Sequence, residues 1–278
     1  MKNAMQLKAS IKKIAMGNKI SAQLVMQNYM LERLLERISL SSYNKKIILK
    51  GGLLIASMVG LQSRATMDMD ATVRNFPVNA TSVKEMFDTI IQTPVNDGIN
   101  FTLNQISKIR EGDEYDGYRV SLTAHFAPMQ ISLKLDITTG DRITPAAVEY
   151  QYPLMFEDRV LNIWCYNLET ILAEKLETII SRGDQNTRPR DFYDVFILLK
   201  LRSAQLNSHH LHDALLATVQ KRNSSNVMKQ YKKIMRQVQN SIVMQQHWRK
   251  YQKEYEYARE VDFFKTCEVI MKILDYVI

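Results

Sequence analysis

Apolar positions recur at three-, four- and seven-residue spacing through the first forty residues. Leu24, Leu31, Leu35 and Ile38 fall on one helical stripe, and Ser21 offers the side-chain oxygen that an N-terminal cap needs. The spacing predicts helix to about Ser42, and no residue on it points to chemistry. A largely β-branched run, Ile47-Ile48-Leu49, then leads through Lys50 into Gly51-Gly52 and a further apolar stretch, which reads as strand, glycine turn and helix. Next comes Arg64-x-Thr66-x-Asp68-x-Asp70, continued by Ala71-Thr72-Val73. Strand side chains alternate, so this pattern predicts a second strand with both carboxylates on one face and Met67 and Met69 on the other.

Downstream, Thr81 to Thr93 predicts a short helix that stops at Pro94. Ile99 to Phe126 reads as hairpin strands, broken by the turn residues Glu111-Gly112-Asp113 and Asp116-Gly117. Met129 to Thr138 has the clearest alternation: Ile131, Leu133, Leu135 and Ile137 share one face, which leaves Ser132, Lys134 and Asp136 on the other. Pro145 to Pro153 reads as a connection without an assigned element. Asn167 can cap a helix from Leu168 to about Ser181, stopped by Gly183, with Lys175 off its apolar stripe. Another helix starts near Pro189 and carries Asp191, Phe192, Tyr193, Asp194 and Phe196. From Arg190 to Ile278 there is neither glycine nor proline, which predicts an all-helical C-terminal part. One helix there, around Val227 to Ile242, is two-faced, with Lys229, Lys232, Lys233 and Arg236 opposite Val227, Tyr231, Ile234 and Val238.

At 278 residues the chain can bury a substantial core. No secretory signal or long apolar span is present, and Cys165 and Cys267 lack metal-ligand spacing, so a soluble protein of the reducing cytoplasm is expected. The formal charge is +8, and between Ala214 and Lys253 nine basic residues occur without an acidic one. Such a stripe suits a polyanion, nucleic acid above all, although solvated basic helices need no partner.

Asp68, Asp70 and Asp136 form the central constellation. If their strands are neighbours, three carboxylates meet, repel, and invite hard cations such as Mg²⁺; otherwise they are ordinary solvated strand positions. Backbone N–H groups at Gly51 and Gly52 can approach a phosphate where a helix begins, with Lys50, Arg64 and Thr66 as further phosphate contacts. Arg64 could instead bridge to Asp68 or Asp70. By spacing alone, Lys175 and Asp191 read as exposed helical residues.

KGGLLIASMVG with RATMDMD resembles the first motif of the AbiEii family of nucleotidyltransferase toxins from abortive-infection and type IV toxin–antitoxin systems. KLDITTGDRITP resembles its second motif, ETILAEKLETI the third and RPRDFYDV the fourth. The resemblance implies an α+β fold: a polymerase-β-like nucleotidyltransferase core over residues 1–165, followed by a basic helical domain over 166–278. It places metal, two Mg²⁺ ions, on Asp68, Asp70 and Asp136, and NTP on Gly51, Gly52, Arg64, Thr66 and Lys175, beside the Lys50 contact read above. Asp191 would position the nucleotide or Lys175. The implied activity is transfer of a nucleotide to the 3′ end of tRNA, which blocks translation in antiviral defence. The partners would be tRNA, guided by Lys229, Lys232, Lys233 and Arg236, and an antitoxin encoded alongside; the chain itself is expected to be a monomer. The rival readings are an antibiotic-type small-molecule nucleotidyltransferase and a catalytically idle RNA-binding protein.

Overall fold

The structure is a computed structural model that describes residues 3–109 and 117–278. The expected turn residues Glu111, Gly112, Asp113 and Asp116 lie outside the described residues. Two compact units make up the chain, Met1–Asp141 with Val148–Cys165, and Arg142–Ala147 with Tyr166–Ile278.

The first unit opens with α1 (Ala4–Asn18) and α2 (Ala22–Leu40). The single helical stretch expected to Ser42 is thus two helices, parted where Lys19 takes a left-handed conformation at φ 52°. Ser21 caps the second by accepting the Leu24 N–H at 3.1 Å. There follow β1 (Ile47–Lys50), α3 (Gly51–Val59), β2 (Met69–Val73), α4 (Ala80–Gln92), β3 (Asn100–Ile109) and β4 (Gly117–Phe126). β5 (Met129–Thr139), β6 (Val148–Pro153) and β7 (Val160–Cys165) complete a seven-stranded sheet ordered β3-β4-β5-β2-β1-β7-β6. The sheet is mixed: β2–β5 and β1–β7 are parallel, and the remaining neighbours are antiparallel. β1 lies inside the sheet with Ile47, Ile48 and Leu49 all buried, which accounts for its continuous apolar run. β5 keeps the predicted alternation, with Leu133, Leu135 and Ile137 buried while Ser132 and Lys134 are exposed. The stretch read as a connection contains β6, and β7 was not expected at all.

α2 buries charge beside its apolar stripe. Arg33, 1 % exposed, bonds Glu32 at 2.6 Å, Glu36 at 2.9 Å and Glu157 at 2.8 Å. Arg37 grips both oxygens of Asp97, and Glu32 also accepts the Met155 N–H at 2.7 Å. Charges are tolerated at such depth only when paired like this. Burial still dominates at Glu32 and pushes its carboxyl up to about 7.

The second unit contains α5 (Leu168–Arg182), α6 (Pro189–Arg202), α7 (Ser208–Lys221), α8 (Ser225–Met228), α9 (Tyr231–Asn240), α10 (Ile242–Glu254) and α11 (Phe263–Val277). Asn167 caps α5 by accepting the Thr170 N–H, and its amide donates to the Thr144 and Ala146 carbonyls, which ties residues 142–147 to this unit. The helix expected over Val227 to Ile242 is divided, with Lys229 and Gln230 between α8 and α9. The basic stretch is acid-free along the sequence but not in space: Arg222 pairs with Glu177 at 2.5 Å and Lys232 with Asp275 at 3.1 Å.

Candidate active site

Strand register builds a row of charge across four neighbouring strands. Lys50 of β1 stands opposite Asp70 of β2, Asp70 opposite Asp136 of β5, and Asp136 opposite Arg119 of β4. Residues in register share a face of the pleat, so these four side chains emerge together. Arg119 holds Asp136 in a two-pronged pair, Nε to Oδ1 and Nη2 to Oδ2, each at 2.8 Å. Lys50 turns to Asp141 and to Thr138 Oγ1, the latter at 2.8 Å. Neither Arg119 nor Asp141 was singled out from the sequence; their register opposite or beside known acids is a property of pairing, which spacing does not encode.

Asp68 lies just ahead of β2 rather than within it, and Met67 is 42 % exposed while Met69 is fully buried. The expected alternation through both methionines therefore fails at Met67. Partial desolvation, then repulsion from Asp70 and Asp136, pushes the Asp68 carboxyl above the ordinary carboxylate range, although the residue as a whole is exposed. Lys134 and Arg119 oppose that rise. Asp70 and Asp136 therefore stand close enough to act on Asp68, while Asp136 already has its countercharge in Arg119. Among the described residues no group of three or more His, Cys, Asp or Glu stands close enough to hold a metal ion. Asp68 and Asp70 nevertheless have the hard oxygens and mutual repulsion that suit Mg²⁺. Both oxygens of Asp136 are engaged by Arg119 in this arrangement.

The glycine turn abuts this cluster. At Gly51, φ is +69°, and a Cβ would lie 2.1 Å from Asp70 Oδ2. At Gly52 a Cβ would meet Thr66 Oγ1 at 2.6 Å and Arg64 Nη2 at 3.4 Å. Any larger residue collides, so the α3 N-terminus, with its orphan N–H groups, sits directly against Asp70 and Thr66. Arg64 is buried and donates to the Ala65 carbonyl, while Thr66 Oγ1 donates to the Asp68 carbonyl at 3.3 Å.

α2, read as chemically silent, fastens this loop. Asn28 Nδ2 donates to the Thr66 carbonyl at 2.7 Å. Gln27 Nε2 donates to the carbonyls of Met67 at 3.2 Å and Ser132 at 2.8 Å, stapling the loop to β5. Both residues are buried, and a polar pair inside the apolar run was the signal that could have revealed them.

In the second unit, Lys175 and Asp191 are brought together. Lys175 Nζ lies 2.6 Å from Asp191 Oδ1 and 2.7 Å from Asp194 Oδ2, with Asp194 wholly buried. The exposed-residue reading is overturned for both, and Asp194 is a partner that the sequence reading passed over. Lys229, Lys233 and Arg236 are exposed and form no ion pair among the described residues, whereas Lys232 is held by Asp275.

The family model for the nucleotidyl transferase AbiEii toxin of type IV toxin–antitoxin systems matches residues 33–267. The chain belongs to this family. The AbiEii match runs from α2 into α11 and takes in every motif described above. Two crystal structures from Helicobacter pylori, one of a candidate nucleotidyltransferase and one of JHP933, resemble the fold with TM-scores of 0.52 at 16 % identity. The first alignment covers 93 % of this chain and 96 % of the other, the second 92 % of each. No curated protein matches the sequence. At that identity the structures speak for the fold, while AbiEii membership supplies the activity class, a toxin-type nucleotidyltransferase that uses NTP and has a cognate antitoxin. Among the described residues no helix is long and apolar enough to cross a membrane.

Proposed function

We propose that this AbiEii-family chain moves a nucleoside monophosphate from an NTP to the 3′-hydroxyl of tRNA and thereby blocks translation as a cytoplasmic, monomeric toxin. The observation that carries the reading is the α3 N-terminus packed against Asp70, where a Cβ at Gly51 would strike the carboxylate. Orphan N–H groups and a carboxylate in contact are what a triphosphate and its countercations require from opposite sides. Divalent cations, two Mg²⁺ on this reading, would favour ionisation of the attacking hydroxyl and offset charge on the leaving pyrophosphate.

The chain's own part is positioning. Gly51 and Gly52 offer backbone N–H groups to the phosphates, and Arg64 and Thr66 border the same turn. Asp68 and Asp70 supply the metal-facing oxygens. The hydroxyl oxygen bonds the α-phosphorus as the α–β bridging bond breaks; Asp136 receives the hydroxyl proton once Arg119 releases it. Lys175, oriented within its own unit by Asp191 and Asp194, would on this reading be the further phosphate-binding lysine, and Lys50 is held beside the turn by Asp141. The exposed cations Lys229, Lys233 and Arg236, with Lys232, would guide the tRNA backbone.

That basic surface favours a polyanion over a small hydroxylated acceptor, and three mutually repelling aspartates have no use in an idle binder. Purified protein incubated with each α-labelled NTP, Mg²⁺ and total bacterial tRNA should label tRNA, and Asp68→Ala should not. Absence of label with every NTP would overturn the reading and turn attention to small-molecule acceptors.

A further inference from the structure

Beside Asp68 runs an open groove of about 1120 Å³, walled by α1, α2 and the β4–β5 end of the sheet. It is larger than a pocket shaped for a small ligand. Asp68 is the only carboxylate among its lining residues, against three lysines, Lys8, Lys12 and Lys134. Lys8 and Lys12 are one helical turn apart on α1, and Lys134 shares a β5 face with Asp136. All three are exposed, and their side chains form no ion pair among the described residues.

Between these charges the lining is more apolar than polar: the thioethers of Met26, Met67 and Met129 stand among Gln23, Gln27 and Gln130. Met67 is 42 % exposed beside Asp68, so its thioether is open to the groove. Gly51 and Gly52 are not among the lining residues, so the groove reaches Asp68 by a route apart from the glycine turn.

We propose that this groove receives the unpaired 3′ end of the acceptor nucleic acid, with phosphates on Lys8, Lys12 and Lys134 and bases against the three methionines. The proposal rests on the transferase reading above and places its acceptor in the first unit. A duplex hides its bases and could use only the lysines; a single strand presents π-faces to polarisable sulfur as well. The strand's end then lies at Asp68, where its hydroxyl is needed.

The test uses the full chain without NTP and a fluorescein-labelled single-stranded RNA of roughly ten nucleotides, within the span one binding groove covers. Anisotropy should show Lys8→Glu/Lys12→Glu binding it about tenfold more weakly, with the salt slope lower by about 1.4, the value for two lost contacts to a single strand. A blunt RNA duplex should bind the wild type more weakly than the single strand. Both lysines are solvent-exposed, so the variant should keep the wild-type melting temperature. Unchanged single-strand affinity, or an equal preference for duplex, would overturn the groove whatever the transfer assay gives. If the variant loses affinity but wild type labels no nucleic acid, the groove stands as a single-strand site and the transferase reading falls.

Discussion

Gly51 must satisfy two demands at once, a left-handed φ of +69° and an approach to Asp70 that leaves no room for a methyl group. Gly51→Ala should therefore cost about 1–2 kcal/mol in stability from the backbone alone. It should cost transfer activity far more, on the order of a hundredfold, because the Asp70 carboxylate must move by a sizeable fraction of an ångström or more. Label incorporation and thermal unfolding measured side by side separate the two effects; equal losses would mean that the glycine serves only the fold. Arg119 acts in the opposite sense. Both of its bonds go to Asp136, so it competes with any cation that the aspartates would bind. Arg119→Gln should lower the Mg²⁺ concentration that half-raises the melting temperature by roughly fivefold, the scale of one partly exposed ion pair. An unchanged titration would remove Asp136 from the metal-binding set. The Arg119 prediction could not be framed from the DxD pattern, because Arg119 meets Asp136 through a strand register that a linear motif leaves open.

α2 is the element that holds the site's loop in place, and its polar face explains where the sequence was and was not legible. β5 and the Asn167 cap were readable because local rules decide them: alternation in one case, a side-chain oxygen at the right offset in the other. Asp68 was misread as a strand residue because the Thr66 and Met67 carbonyls bond Asn28 and Gln27 from a distant helix instead of a neighbouring strand. β7 carries alternate buried residues, Leu161, Ile163 and Cys165, but it is only six residues long and its inward positions become apparent once β1 and β6 flank it. The ion cluster of α2 also gives the element a pH signature. Burial raises the Glu32 carboxyl from 4.5 to about 7, so between those values the folded chain binds more protons than the unfolded one. The stability due to this group is complete below pH 4.5 and is lost as pH rises through 7, an effect of order 3 kcal/mol. Glu32→Gln, which keeps an acceptor for the Met155 N–H, should flatten that slope in denaturant unfolding measured from pH 4.5 to 7.5. A slope equal to wild type would mean that Arg33 keeps Glu32 ionised throughout.

At the scale of the molecule, the net charge of +8 matters less than which cations are already spent. The aspartates and the glycine turn belong to the first unit, while Lys175, Asp191 and the long basic stretch belong to the second. Of the four cations on the two-faced segment, Lys232 is engaged by Asp275, which Tyr231 also bonds at 2.6 Å. A cation already neutralised by a neighbouring acid releases no counterion from a polyanion unless its own pair first opens. The four residues should therefore count as three. Replacing Lys229, Lys233 and Arg236 together by Gln should lower the slope of log affinity for tRNA against log salt by about 3, one unit for each lost phosphate contact. Lys232→Gln alone should leave that slope nearly unchanged. A reduction of a full unit in the single variant would mean that the Asp275 pair breaks on binding and that all four cations meet phosphate. A triple variant with the wild-type slope would take the segment from Lys229 to Arg236 out of the interface altogether and leave the groove beside Asp68 as the surface through which the nucleic acid is held.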